Sequence, residues 1–157
     1  MEDIKDLLRS PRETLGGYVF LPRLIDKVRL HAKKQLPEAY CGNLLKPPPA
    51  IDGRFLEFKK IDPEEMRRAI LESPDDRAIL LWVEQNGVPR SETEKKDWIQ
   101  TLEQDIPSAA RIEARAKFYS GVASRFDLSR INVFDLIDLD EERIQKPFIL
   151  MGEKAES

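Results

Sequence analysis

The chain's 11 prolines limit its fold more than any other feature. Proline has no N–H to donate and its ring clashes inside a helix, so it suits a helix's first turn and breaks an interior. Here the prolines sit beside capping residues. Asp62-Pro63-Glu64-Glu65 combines an acceptor side chain, a proline at the first helical position and acids in the first turn. Ser73-Pro74-Asp75-Asp76 repeats that logic, and Ser91-Glu92-Thr93-Glu94 is a capping box. Ser10-Pro11-Arg12-Glu13 reads as a turn or a further helix start. Such punctuation cuts the chain into short helices. The expected fold is all-α, an irregular bundle of about five to seven helices in one domain over residues 1–157. The alternative is α+β, with residues 54–58, 131–137 or 147–151 as short strands. Residues 1–9 read as a flexible N-terminal arm with Ile4, Leu7 and Leu8 on one side, and residues 153–157 as a frayed tail.

Composition narrows the function classes. At 157 residues the chain can bury a core, and its balance of 41% hydrophobic and 35% charged residues is that of a globular protein. No apolar run approaches a membrane span, and the acidic start MEDIKDLLRS lacks a signal peptide's basic and apolar regions. Cys41, the single cysteine, excludes an intramolecular disulfide and a multi-cysteine metal site. A cytoplasmic setting is expected. With a net charge of −3 and a pI of about 5.4, nucleic acid is not the expected partner, and neither is a membrane.

The positive charge is uneven, and it is densest in SPRETLGGYVFLPRLIDKVRLHAKKQL. Pro22 suits a first helical turn, and Leu24, Ile25, Val28, Ala32 and Leu36 follow at helical spacing. The helix is expected to end near Leu36, before Pro37. Arg23, Lys27, His31 and Lys34 then share one edge, and Asp26, Arg29 and Lys33 form a second polar row. Ahead of them, Gly16-Gly17 permits backbone angles closed to other residues and lets N–H groups approach an anion. Its spacing matches no phosphate-binding fingerprint, and the plainer reading is a turn joining the N-terminal segment to the first core helix. His31 between two lysines is a candidate acid or base, with Asp26 as a second; without a second histidine, a satisfied edge-of-core role competes with catalysis.

The remaining segments read as scaffold. Residues 37–49 form a loop ending in the stiff Pro47-Pro48-Pro49, and residues 51–58 a turn followed by a short strand or irregular apolar piece. AILLWV, residues 78–83, is apolar on nearly every side and predicts a fully buried central helix ended by a left-handed cap at Asn86-Gly87. Trp98, Leu102 and Ile106 mark the inner face of the next helix. Ile112, Ala116, Tyr119, Ala123 and Phe126 trace one long helix, in which Gly121 marks a close contact or a kink. The acidic run 135–142 lacks the glycine and spacing of a calcium loop, and Asp138 with Glu141 explains it as a helix start. No metal and no cofactor is expected.

Four stretches in this order resemble one bacterial family: SPRETLGGYVFLPRLIDKVRLHAKKQLPEAY, DGRFLEF, LLWVEQNGVPRSE with the following DW, and FDLIDLDEER. The family is catalogued as a domain of unknown function, number five thousand and sixty-nine. The resemblance runs from about Ser10 to Arg143. It implies a small, helical, bacterial cytosolic protein and brings no functional residues with it.

The expected function is therefore a non-enzymatic binding module. Its surface would comprise Arg12, Gly16, Gly17, Arg23, Lys27, His31 and Lys34, and its partner would be a small anion or an acidic protein patch. One alternative is an enzyme acting on a phosphorylated or carboxylated small molecule, using His31 or Asp26. The other is a structural subunit of an oligomer. The sequence does not set the oligomeric state.

Overall fold

The structure is a computed structural model and describes residues 3–149. The helices are α1 (Ile4–Leu7), α2 (Leu21–Ala32), α3 (Glu38–Cys41), α4 (Ile51–Lys59), α5 (Pro63–Glu72), α6 (Asp76–Asn86), α7 (Glu92–Glu103), α8 (Ala109–Phe118), α9 (Ser120–Ala123) and α10 (Val133–Asp140). Among the described residues the only sheet is a two-stranded hairpin, β1 (Thr14–Leu15) and β2 (Tyr18–Val19). The protein is thus mostly helical. None of the segments 54–58, 131–137 and 147–149 is a strand, and residues 150–157, including the expected frayed tail, lie outside the described residues. Contacts divide the chain into two compact units, Met1–Lys95 and Lys96–Ser157.

In the first unit α2 is the buried helix. Leu21, Pro22, Arg23, Leu24, Ile25, Lys27 and Val28 are all buried, and only the last turn is exposed. It packs on α5, whose inner face is Met66, Ala69 and Ile70. The sequence assigns the central place to α6 instead. There only Ile79 and Val83 are buried, and Leu81 is 54% exposed. An apolar run over one and a half turns cannot distinguish a buried helix from one with an apolar outer face. Of the expected arm, the described residues 3–9 are anchored through Leu8, which is buried, and Arg9, whose guanidinium donates to Asp26 at 3.0 Å and to Asp76 at 2.6 Å.

Residues 51–58 form α4, where a turn and short strand are expected. Ile51, Phe55 and Lys59 recur every four residues on its buried side. Gly53, which reads as a turn residue, is needed because the 46–47 chain passes over it. A Cβ there would fall on the Lys46 carbonyl oxygen and within 2.6 Å of the Pro47 backbone.

Helix starts follow their caps. Asp62 accepts the Glu64 and Glu65 N–H groups, Asp75 accepts that of Ala78, and Ser91 and Glu94 close their capping box at 3.0 and 3.1 Å. Helix ends do not follow the expected signals. α2 stops at Ala32, because Lys34 takes a left-handed φ of 58° and the Gln35 N–H turns back to the Leu30 carbonyl at 2.8 Å. The same 6→1 closure ends α4 at Lys60 and α10 at Glu142. Gly87 is extended, φ −95°, and makes no left-handed cap. It is glycine because the Lys59 Cε and the Val83 carbonyl approach to 2.7 and 2.9 Å of where a Cβ would stand.

In the second unit Val122, Leu128, Ile131, Leu136 and Leu139 form the core, with Ile112, Ala116 and Tyr119 packed against it. The single long helix divides at Tyr119 into α8 and α9, two residues before Gly121, and nothing lies within 4 Å of a Cβ at Gly121, so no close contact explains the glycine. Ile106 lies past the end of α7 and is 73% exposed. α10 starts at Asn132, whose side chain caps the Asp135 N–H at 2.9 Å, six residues before the expected cap.

Candidate functional site

The candidate site is built on the β1–β2 hairpin. Leu15 pairs with Tyr18, leaving a two-residue loop, Gly16-Gly17. Right-handed strand twist favours a loop with both central residues at positive φ. Gly16 and Gly17 adopt 59° and 84°. Space demands glycine as well, since a Cβ would meet Leu80 at 2.6 Å at the first position and Lys95 at 3.1 Å at the second. Gly16 is exposed and Gly17 half-buried. Among the described residues, neither amide donates to another group of the chain.

Below the tip, alternation turns Tyr18 inward. It is 1% exposed and meets the Phe55 ring edge-on at 6.0 Å. Two ammonium groups flank it. Lys59, on the buried side of α4, donates to the Tyr18 hydroxyl and to the Val88 carbonyl, each at 2.7 Å. Lys95, set in the first turn of α7 by the capping box, donates to the Gly16 carbonyl at 2.8 Å and to Glu92 at 3.3 Å. The Lys59 and Lys95 nitrogens lie 4.6 and 4.4 Å from the centre of the Tyr18 ring, within cation–π range. Arg90 stacks over Phe58 at 4.6 Å and donates to its carbonyl. Burial holds the Lys59 amine below the ordinary lysine value; Glu84 opposes this, and Lys95 and Arg90 add to it. Burial, with the Glu84 carboxylate beside it, pushes the Tyr18 phenol above its usual value.

Of the residues marked out in the sequence, Gly16 and Gly17 alone belong to this centre. Arg23 is buried and donates to the Arg9 carbonyl at 3.0 Å. Lys27 is buried and donates to Asp52 at 2.8 Å, and the other Asp52 oxygen accepts the Leu45 N–H at 2.7 Å. Asp26 is held by Arg9. Arg12 is half-buried, its N–H donating to the Ser10 hydroxyl at 3.2 Å. His31 and Lys34 stand exposed at the end of α2, and no carboxylate bonds the imidazole among the described residues. The stripe therefore runs from the interior to solvent, because α2 is enclosed over its first two turns, and the helical edge is not one open surface.

The acidic stretch of α10 is satisfied from within. Asp135 accepts the Phe148 and Ile149 N–H groups at 2.9 and 3.1 Å, and Arg143 lies 2.9 Å from Glu141 and 3.7 Å from Asp138. Among the described residues no group of three or more His, Cys, Asp or Glu could hold a metal ion. A separate apolar groove of about 530 Å³ is lined by Leu45, Pro47, Pro48, Leu56, Ile61 and Pro63.

The profile of the family described as Domain of unknown function (DUF5069) matches residues 5–143. The chain belongs to this family. The match spans the hairpin, Lys59 and Lys95 of the DUF5069 chain, and also α10. Among curated proteins, none matches it. No helix among the described residues is long and apolar enough to cross a membrane.

Sequence reasoning missed Tyr18, Lys59 and Lys95. A signal existed for Lys59: a lysine at i+4 from Phe55 and i+8 from Ile51 lies on an apolar helix face. It became visible only once residues 51–59 were placed in a helix.

Proposed function

We propose that the protein is a non-enzymatic binding module that holds a small anion, or a carboxylate-rich patch of a protein partner, at the Gly16-Gly17 tip. The observation that carries this reading is the pair of amides that bond no other group among the described residues, beside the Lys95 ammonium. Successive backbone N–H groups with an adjacent cation are the donor set of oxyanion sites. Lys59 and Arg90 raise the positive potential behind the tip. Three or four donors suit a phosphate or carboxylate group better than a duplex or a membrane surface. Arg23 and Lys27, engaged in the interior, have no part in it; Arg12 flanks the hairpin in sequence and is kept as an accessory cation. The family resemblance supports a bacterial cytoplasmic setting.

A thermal-shift screen against phosphate, sulfate, nucleotides, sugar phosphates and dicarboxylates tests the reading. A ligand at a hundred times its Kd stabilises by about 2.7 kcal/mol, on the order of 5–10 °C for a domain of this size. The expected result is a shift with one chemical class that a Lys95→Met variant loses and a His31→Ala variant keeps. A shift lost with His31 and kept without Lys95 would move the site to the end of α2. A flat screen would remove the small-anion reading and leave the acidic partner, which pull-down with an immobilised polyglutamate then accepts or rejects.

A further inference from the structure

Among the described residues of the first unit, Lys59 is the one ammonium at 0% exposure. Its hydrogen-bond partners are neutral, the Tyr18 hydroxyl and the Val88 carbonyl. The nearest carboxylate oxygen, on Glu84, is 3.8 Å away, beyond hydrogen-bond reach, on a side chain 41% exposed. The charged groups that face this centre come from three neighbouring elements. α6 contributes Glu84, the link after it Arg90, and the first turn of α7 Glu92 and Lys95; the hairpin contributes the Tyr18 phenol. Lys95 sits across the same tyrosine ring. A Cβ at Gly87 would stand 2.7 Å from the Lys59 Cε, so the glycine makes room for that side chain. A cation so placed is buried, has its counter-ion at 3.8 Å on a half-exposed side chain, and shares its surroundings with two further cations.

We infer that Lys59 is a proton switch seated beneath the hairpin: charged, it donates to Tyr18 and to Val88 and pairs with the Glu84 carboxylate; neutral, it keeps its two N–H donors on Tyr18 and Val88 and gives up the ion pair. The proton leaves to solvent along the Glu84 side, the exposed edge of the centre. Tyr18 stays a phenol throughout, since burial and Glu84 hold its proton. The effect is the loss of the Lys59–Glu84 ion pair at the seam joining β2, α4 and the α6–α7 link, and a drop of one positive charge behind the Gly16-Gly17 tip. The inference stands whether or not the tip binds an anion.

The direction with pH follows from burial. The amine of folded Lys59 titrates below its value in the unfolded chain, about 10.4, so folding is disfavoured while both states are charged. Stability therefore rises with pH from the folded value up to about 10.4. Tyr18 acts oppositely: its raised value contributes stability that is lost only above the unfolded tyrosine value of about 10. The window to examine lies below pH 10.

The experiment is an NMR titration of the wild-type protein labelled with 13C,15N-lysine, with the Cε resonance of Lys59 assigned through bonds, from pH 6 to 11. The expected result is one lysine, Lys59, titrating ahead of the rest, with the Tyr18 ring resonances moving at the same midpoint. Equilibrium unfolding across that window should show the unfolding constant falling by up to about tenfold per pH unit, and a Lys59→Met variant, if it folds, should lose that slope. Titration of Lys59 with the other lysines would overturn the switch, as would a Tyr18 ring indifferent to the Lys59 midpoint.

Discussion

Replacing Lys27 by methionine should destabilise the protein severely, although a helical wheel places Lys27 on a solvent edge. Its side chain is 7% exposed and that of Asp52 is 2% exposed, with 2.8 Å between Nζ and Oδ1. Methionine keeps the length and the apolar stem and removes the charge. Asp52 is then left as a buried carboxylate that keeps the Leu45 N–H as a donor. Breaking a buried pair by removing one partner costs about 3–5 kcal/mol, because the desolvation of the survivor is no longer offset. A protein of this size loses about 2–4 °C per kcal/mol, so Tm should fall by roughly 6–20 °C. Urea unfolding followed by circular dichroism measures the loss. The double variant Lys27→Met/Asp52→Asn removes both charges and keeps an acceptor for Leu45. It should be more stable than the sum of the single changes predicts, with a coupling of about 0.5–3 kcal/mol. A Lys27→Met protein within about 0.5 kcal/mol of wild type, the range of ordinary surface changes, would refute the reasoning and return Lys27 to the surface.

Two helical glycines should respond in opposite directions. Gly121→Ala, with open space around it, should stabilise by about 0.4–1 kcal/mol, whereas Gly53→Ala would drive a methyl into the Lys46 and Pro47 backbone and should cost about 3 kcal/mol or more; chemical denaturation of both separates packing from propensity. Lys34→Gly, relieving a left-handed residue in an exposed helix end, should raise stability by a few tenths to about 1 kcal/mol, read as a shift in urea midpoint.

What was legible in the sequence was local. A cap and its target lie within four residues, so Asp62, Ser91 and Glu94 announce α5 and α7 without reference to the rest of the chain. Helix ends were illegible for the same reason in reverse. The left-handed positions that close α2, α4 and α10 hold Lys34, Lys60 and Glu142, where glycine would have given the signal. Gly53 and Gly87 carried a turn signal but are glycine for reasons of space, set by chain segments packed on them. Burial failed in a related way. The partner of Lys27 is 25 residues away, and that of Lys95 is 79 residues away, so no spacing rule shows that these cations point inward. Periodicity aligns Arg23, Lys27 and His31 along α2, but it runs the helix on through Lys34 and cannot tell that the first unit closes over its start. The diglycine is legible as a turn, and the hairpin makes it one.

The most direct test of the central claim is a 15N–1H NMR titration of the wild-type protein with orthophosphate at constant ionic strength. The account predicts saturable shifts of the Gly16 and Gly17 amides, accompanied by the Lys95 side chain and absent in Lys95→Met. Saturable shifts confined to His31, Lys33 and Lys34, or shifts that grow linearly without saturating, would contradict it.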